Sequence, residues 1–167
     1  LEWCAKYPDD FQRHVLINTS ARNLGHVFKR LRLASLRKLV KAALQTDLVE
    51  RERTILGMTT KLIHNPEKIA KRWAEYVEEN PFSFTDFAKQ LFAAAKFESP
   101  QSVATPSFIL ASEKDELAHP DCSKKLAGIL KAPISVHPYA GHDLAIDDPE
   151  WVVDQVQSWL ETSPKSE

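Results

Sequence analysis

Asp115 and His142 are the two residues whose types and setting could do chemistry together. Each stands just past a short apolar run, Ser107-Phe108-Ile109-Leu110-Ala111-Ser112 for the first and Ile134-Ser135-Val136-His137 for the second. A carboxylate that accepts from an imidazole N–H fixes the tautomer of the ring. Its other nitrogen is then free to deprotonate a nucleophile. Acid and base are therefore both on offer, and a nucleophile would complete a triad.

The elements that must position them follow from the spacing. Both apolar runs are short enough for buried strands. Between them lies a charged loop, Glu113-Lys114-Asp115-Glu116, then His119-Pro120-Asp121-Cys122, where Pro120 suits the first turn of a helix. That helix shows Cys122, Leu126, Ile129 and Leu130 on one face until Pro133 stops it. A strand–helix–strand unit makes parallel strands with both loops at the carboxyl edge, where open α/β sheets build their sites. The 27 residues from Asp115 to His142 suffice for one crossover unit of roughly 30 residues.

At these residues the chain resembles the α/β-hydrolase family. Ser112-Glu113-Lys114-Asp115-Glu116-Leu117 is similar to the family's acid turn, with Ser112 where Gly is commoner. Ala140-Gly141-His142, followed by Asp147-Asp148-Pro149, is similar to its histidine turn, with Asp147 where Glu is commoner. The resemblance implies that Asp115 and His142 are the catalytic acid and base. The family's order is nucleophile, acid, histidine, so the nucleophile belongs upstream. None of Gly25, Gly57, Gly128 and Gly141 sits in a Gly-x-Ser-x-Gly elbow.

Leu1 to Pro8 begins inside a helix, on whose face lie Leu1, Cys4 and Ala5, and Val15 to Ser20 reads as a third buried strand. In the family a helix ending Ala-x-x-Tyr-Pro before an apolar strand follows the elbow. The resemblance thus implies that the strands are the sixth, seventh and eighth, with the elbow roughly two helical turns before Leu1. The expected fold class is α/β: the carboxyl-terminal part of a hydrolase sheet, three parallel strands with flanking helices, plus an all-helical cap insertion.

The stretch between the sixth and seventh strands loses strand periodicity. Leu24 to Leu44 is basic and amphipathic, with Phe28, Leu31, Leu36, Leu39, Val40 and Ala43 apolar and Lys29, Arg32 and Lys38 among the polar residues. Asp47 with Glu50 reads as a capping box, Asn65-Pro66 starts another helix, and Ser83 or Thr85 caps a fourth. The last is expected to turn Phe87, Leu91, Phe92 and Ala95 inward. Asp148 caps a final helix with Pro149 first and Val152, Val153, Val156, Trp159 and Leu160 apolar. The expected divisions are core over 1–22, cap over 23–102, core again over 103–162 and a tail over 163–167.

With 167 residues and a net charge of −1, the chain can bury a real core and has no general push toward nucleic acid or an anionic membrane. Cys4 and Cys122 fit no metal spacing or disulfide framework, so a reducing, cytoplasmic setting is the simplest reading. His14, His26 and His64 show no ligand spacing, and no metal or cofactor is expected. His119 and His137 read as structural. Glu113, Glu116 and Asp121 are rival acids, Glu116 the nearest, but Leu117 two positions on favours Asp115. Among the aromatics of the cap, one or two of Trp73, Tyr76, Phe84, Phe87 and Phe92 are expected to face a pocket.

The resemblance implies a serine esterase-type hydrolase of small carboxylic esters or related acyl substrates. An aspartate nucleophile would instead give an epoxide hydrolase or dehalogenase, with His142 activating water. From another class, a non-catalytic helical module could use the basic helix to bind a partner. The chain alone is expected to be inactive and to need the amino-terminal half of the protein as its partner, because the sixth strand would otherwise expose open backbone groups.

Overall fold

The computed structural model describes residues 1–26, 30, 33–81 and 83–162. Three strands, β1 (His14–Ile17), β2 (Ser107–Ser112) and β3 (Ile134–His137), form one parallel sheet in the order β1-β2-β3. The register sets Leu16 beside Ile109 and Ala111 beside Val136. The central strand β2 is buried along its whole length, as a parallel strand covered on both faces should be.

Alternation along β2 sorts its side chains onto two cores. Ile109 packs with Ala21, Leu24, Cys122, Leu126 and Ala127 on one face, beneath helix α6 (Pro120–Leu130). Phe108 and Leu110 pack with Ala140, Leu144 and Trp159 on the other, beneath helix α8 (Pro149–Thr162). The Phe108 and Trp159 rings stack with centroids 5.2 Å apart. Burying side chains such as Ile109, Leu110 and Leu126 contributes about 1.5–3 kcal/mol each.

The strands expected over 107–112 and 134–137, and the helix between them, lie where the sequence puts them. Pro120 takes the first turn of α6, and Lys131, with φ 51°, ends it in the left-handed conformation before Pro133. The first strand differs from its reading over Val15–Ser20. It ends at Ile17 because Asn18 turns left-handed, at φ 47°, and it is half-buried because it forms one edge of the described sheet.

Helix α1 (Glu2–Lys6) precedes β1, and among the described residues four helices separate β1 from β2. These are α2 (Leu33–Ala43), α3 (Leu48–Thr59), α4 (Pro66–Glu79) and α5 (Phe84–Lys96). Phe28, Lys29, Leu31 and Arg32 of the expected basic helix, and the tail over 163–167, lie outside the described residues. The caps of α3 to α5 come from the residues expected to supply them. Asp47 accepts from the Glu50 N–H and Asn65 from the Lys68 N–H, while Ser83 and Asp86 form a reciprocal capping box. Glu50 does not close a box with Asp47; its carboxylate is engaged by Arg53.

Helix α5 differs from its reading. It buries no residue, and Phe92 is 62 % exposed with the Lys96 ammonium 4.2 Å above its ring. Val40, Val153 and Leu160 also face water, so the buried stripes of α2 and α8 are narrower than the apolar pattern suggests. Among the described residues no helix is long and apolar enough to cross a membrane.

Candidate active site

β2 hands the chain to the Asp115 turn and β3 hands it to the His142 turn, at the same edge of the sheet. The ring Nδ1 of His142 lies 2.8 Å from Asp115 Oδ2. A carboxylate oxygen only accepts, so Nδ1 carries the shared proton and Nε2 is left as the basic nitrogen. Asp115 is 1 % exposed, and its Oδ1 accepts from the N–H groups of Leu117, at 2.7 Å, and Ala118, at 2.9 Å. Both oxygens are therefore held, one by the backbone of its own turn and one by the imidazole.

Burial opposes protonation of His142. The Asp115 hydrogen bond and the charges of Asp115 and Asp143 outweigh it, so the imidazole sits above its ordinary range. His142 lines a cavity of about 450 Å³, within the size range of small-molecule sites. Leu39, Leu91, Ala95 and Leu117 supply apolar wall, and Asn18 and Thr19 supply polar groups.

The turns themselves are built by residues around the pair. His137, buried at the end of β3, accepts at Nδ1 from the N–H groups of Tyr139 and Ala140, at 3.1 and 2.8 Å. Its Nε2 is 3.2 Å from Asp148, and Trp151 meets its ring edge-on. It is structural, as expected. So is His119, which caps α6 by accepting from the Asp121 N–H.

Asn18 is a residue that sequence reasoning passed over. Its Oδ1 accepts from the Ser112 N–H at 2.8 Å, and its Nδ2 donates to Ser112 Oγ at 3.0 Å and to the His142 carbonyl at 2.6 Å. One buried amide thus ties the end of β1 to both the acid turn and the histidine turn. The available signal was a polar Asn directly after an apolar run, since Asn tolerates the left-handed conformation and bonds nearby backbone.

The helices between β1 and β2 key onto both turns. Glu116, the nearest rival acid, pairs instead with Lys61 at 2.9 Å and Lys38 at 3.6 Å. The Lys61 hydrogen bond above all holds its carboxyl below the ordinary range. Ser35 donates to the Glu116 carbonyl at 2.5 Å. Asp147 accepts from the N–H groups of Lys61 and Leu62, each at 2.8 Å, and from that of Gly141 at 2.6 Å. Of the other rival acids, Glu113 pairs with Lys124, and the Asp121 carboxylate lies 3.5 Å from His119 Nδ1.

None of the aromatics expected to face a pocket lines the His142 cavity. Phe84 and Phe87 face a separate space of about 160 Å³ within the helical layer, beside Leu39, Glu52 and Ile55. Tyr76 is 47 % exposed, its hydroxyl 3.1 Å from Arg72 Nε. Small and aliphatic residues of α2 and α5 take the wall positions instead. Among the described residues no group of three His, Cys, Asp or Glu side chains could hold a metal ion.

No family model and no curated protein matches the sequence. Solved structures do match. One is a membrane phospholipase A described as a bacterial virulence factor, at a TM-score of 0.71 and 16 % identity over 96 % of this chain and 52 % of that one. An α/β-hydrolase fold protein from Chitinophaga pinensis matches at 0.60 and 18 %, over 94 % and 58 %. The carboxylesterase CesB from Bacillus subtilis matches at 0.62 and 17 %, over 95 % and 54 %. The chain spans just over half the length of each of these proteins, and at such identities the likeness is one of fold. Over the residues it spans, the chain has the fold of the carboxyl-terminal part of an α/β hydrolase.

Proposed function

We propose that this chain supplies the acid and base of a serine esterase-type hydrolase acting on carboxylic esters or related acyl substrates. The observation behind it is the 2.8 Å contact between a fully buried carboxylate and an imidazole that lines a cavity. A similar structure that is named a carboxylesterase supports an ester as the substrate.

In this reading a serine on polypeptide upstream of Leu1, as more of the same chain or as a second chain, gives its proton to His142 Nε2 and attacks the ester carbonyl. His142 then returns the proton to the leaving alkoxide, each such transfer contributing ~10²–10⁴-fold. Asp115 fixes the tautomer and stabilises the imidazolium. The four helices between β1 and β2 act as a cap that roofs the site.

The test is an aryl-ester assay on the complete protein with His142→Ala and Asp115→Asn as companions. Loss of turnover in both supports the reading. Equal rates in all three would sink it and favour a non-catalytic helical module.

A further inference from the structure

Among the described residues, the wall of the His142 cavity contains one cationic side chain. Arg30 lines it, and its guanidinium is held from behind by the last turn of α5: Nη2 donates to the Ala94 carbonyl at 2.6 Å and Nη1 to the Ala95 carbonyl at 3.1 Å. Arginine has five N–H donors, and these bonds use two. Nε is buried and has no hydrogen-bond partner. Among the described residues no carboxylate pairs with Arg30, whereas Arg22, Arg51, Arg53 and Arg72 each pair with a glutamate. The carbonyls at a helix end offset only about half a unit charge.

A guanidinium beside apolar wall, with donors to spare and no counter-charge, favours an anion brought in by the ligand. The remaining wall does not oppose it. Leu39, Leu91 and Leu117 bear no charge, and Asp115 lies beneath His142 with both oxygens occupied. Building on the hydrolase reading, we infer that the acyl substrate bears a carboxylate, which Arg30 binds while the scissile carbonyl lies at His142. Arg30 is then the residue that sets preference between acidic and neutral acyl groups. A purely structural Arg30, clamping residue 30 to the end of α5, would serve both kinds of substrate alike.

That difference is the test. In the complete protein, kcat/KM is measured for mono-para-nitrophenyl glutarate and for para-nitrophenyl pentanoate, in which a methyl replaces the carboxylate. The wild type is expected to prefer the glutarate. Arg30→Gln should lose about 10- to 100-fold on it, the value of one charge-assisted hydrogen-bonded pair, and stay within about threefold on the pentanoate. Arg30→Lys should keep part of the preference. An equal fall on both esters, or no change on either, overturns the inference while leaving the hydrolase reading in place. If the wild type cleaves neither ester, the hydrolase reading fails. Calorimetric titration with monobenzyl glutarate then decides the anion site: binding lost in Arg30→Gln keeps it, and equal or absent binding overturns it.

Discussion

A Cβ placed on Gly141 would sit 2.5 Å from the carbonyl oxygen of Thr59. The same carbonyl accepts from the Asp143 N–H at 2.8 Å, so the end of α3 is seated directly on the turn that bears His142. No special backbone angle demands glycine here; no glycine in the described chain has positive φ. Close approach does. Gly141→Ala is expected to force the two backbones apart and cost about 1–3 kcal/mol, the range for overpacking a filled site. Urea denaturation of the complete protein measures the cost, and an ester assay should show His142 displaced with it.

Removing the carboxylate from Asp115 should reverse the direction of the His142 shift. Two of the contributions that raise the imidazole, the hydrogen bond and the charge of Asp115, disappear in Asp115→Asn, while burial remains. The NMR titration midpoint of His142 is expected to fall from above its ordinary value, about 6.5, to below it. For the native protein the sign is fixed by the raised value. The stability His142 contributes is fully present below about pH 6.5 and is lost as pH rises through the raised midpoint. If His142 is the base of the proposed reaction, turnover needs the neutral ring, and the acidic limb of the rate profile should lie at that midpoint and move to lower pH in the variant.

Asn18 should matter to activity out of proportion to its distance from any nucleophile. Asn18→Asp preserves size and the acceptor for the Ser112 N–H, but it replaces a donor with an oxygen beside the Gly141 and His142 carbonyls. The expected loss is on the order of 1–3 kcal/mol for the buried groups left unpaired. Because the histidine turn moves with them, kcat should fall more than KM rises. Asn18→Asp with wild-type kcat would show that the turn holds itself.

Glu116 and Asp115 are one residue apart and should behave oppositely. Glu116→Gln breaks two water-exposed ion pairs, worth about 0.2–1 kcal/mol each, and leaves the imidazole contact intact. Ester turnover should stay within about threefold. Asp115→Asn should lower kcat by ~10⁴-fold, the loss seen when an imidazole is left in the wrong tautomer. The carboxyl of Glu116 is held low by Lys61, so its own stabilising part is present above about pH 4.5 and lost as pH falls through the depressed value.

Much of the site was legible because its chemistry lies close to strong local signals. A run as short and apolar as Ser107–Ser112 suits a covered strand, and Pro120 and Pro133 bracket the helix that follows. With those in place, Asp115 and His142 must emerge at one edge. Less legible was anything settled by tertiary geometry. Phe92 and Tyr76 share a helical face with apolar neighbours, yet both lie toward water, because a helix pattern records the stripe and not which part of it is covered. Arg30 joins the cavity through carbonyls more than sixty positions away, a pairing that no local rule anticipates. Asn18 was hidden for a related reason: its partners are the backbones of two distant turns, and backbone has no sequence signature.

The fastening of α2 and α3 has a practical consequence for re-engineering this protein. The Ser35 hydroxyl, the Lys61 and Leu62 N–H groups and the Thr59 carbonyl all grip the same two turns that hold Asp115 and His142. A chimera that swaps all four helices described between β1 and β2 would therefore disturb the turns that carry Asp115 and His142. A graft starting after Leu62, exchanging only α4 and α5, leaves those anchors untouched and still replaces Leu91, Ala94 and Ala95. That is where a recombination library should place its crossover.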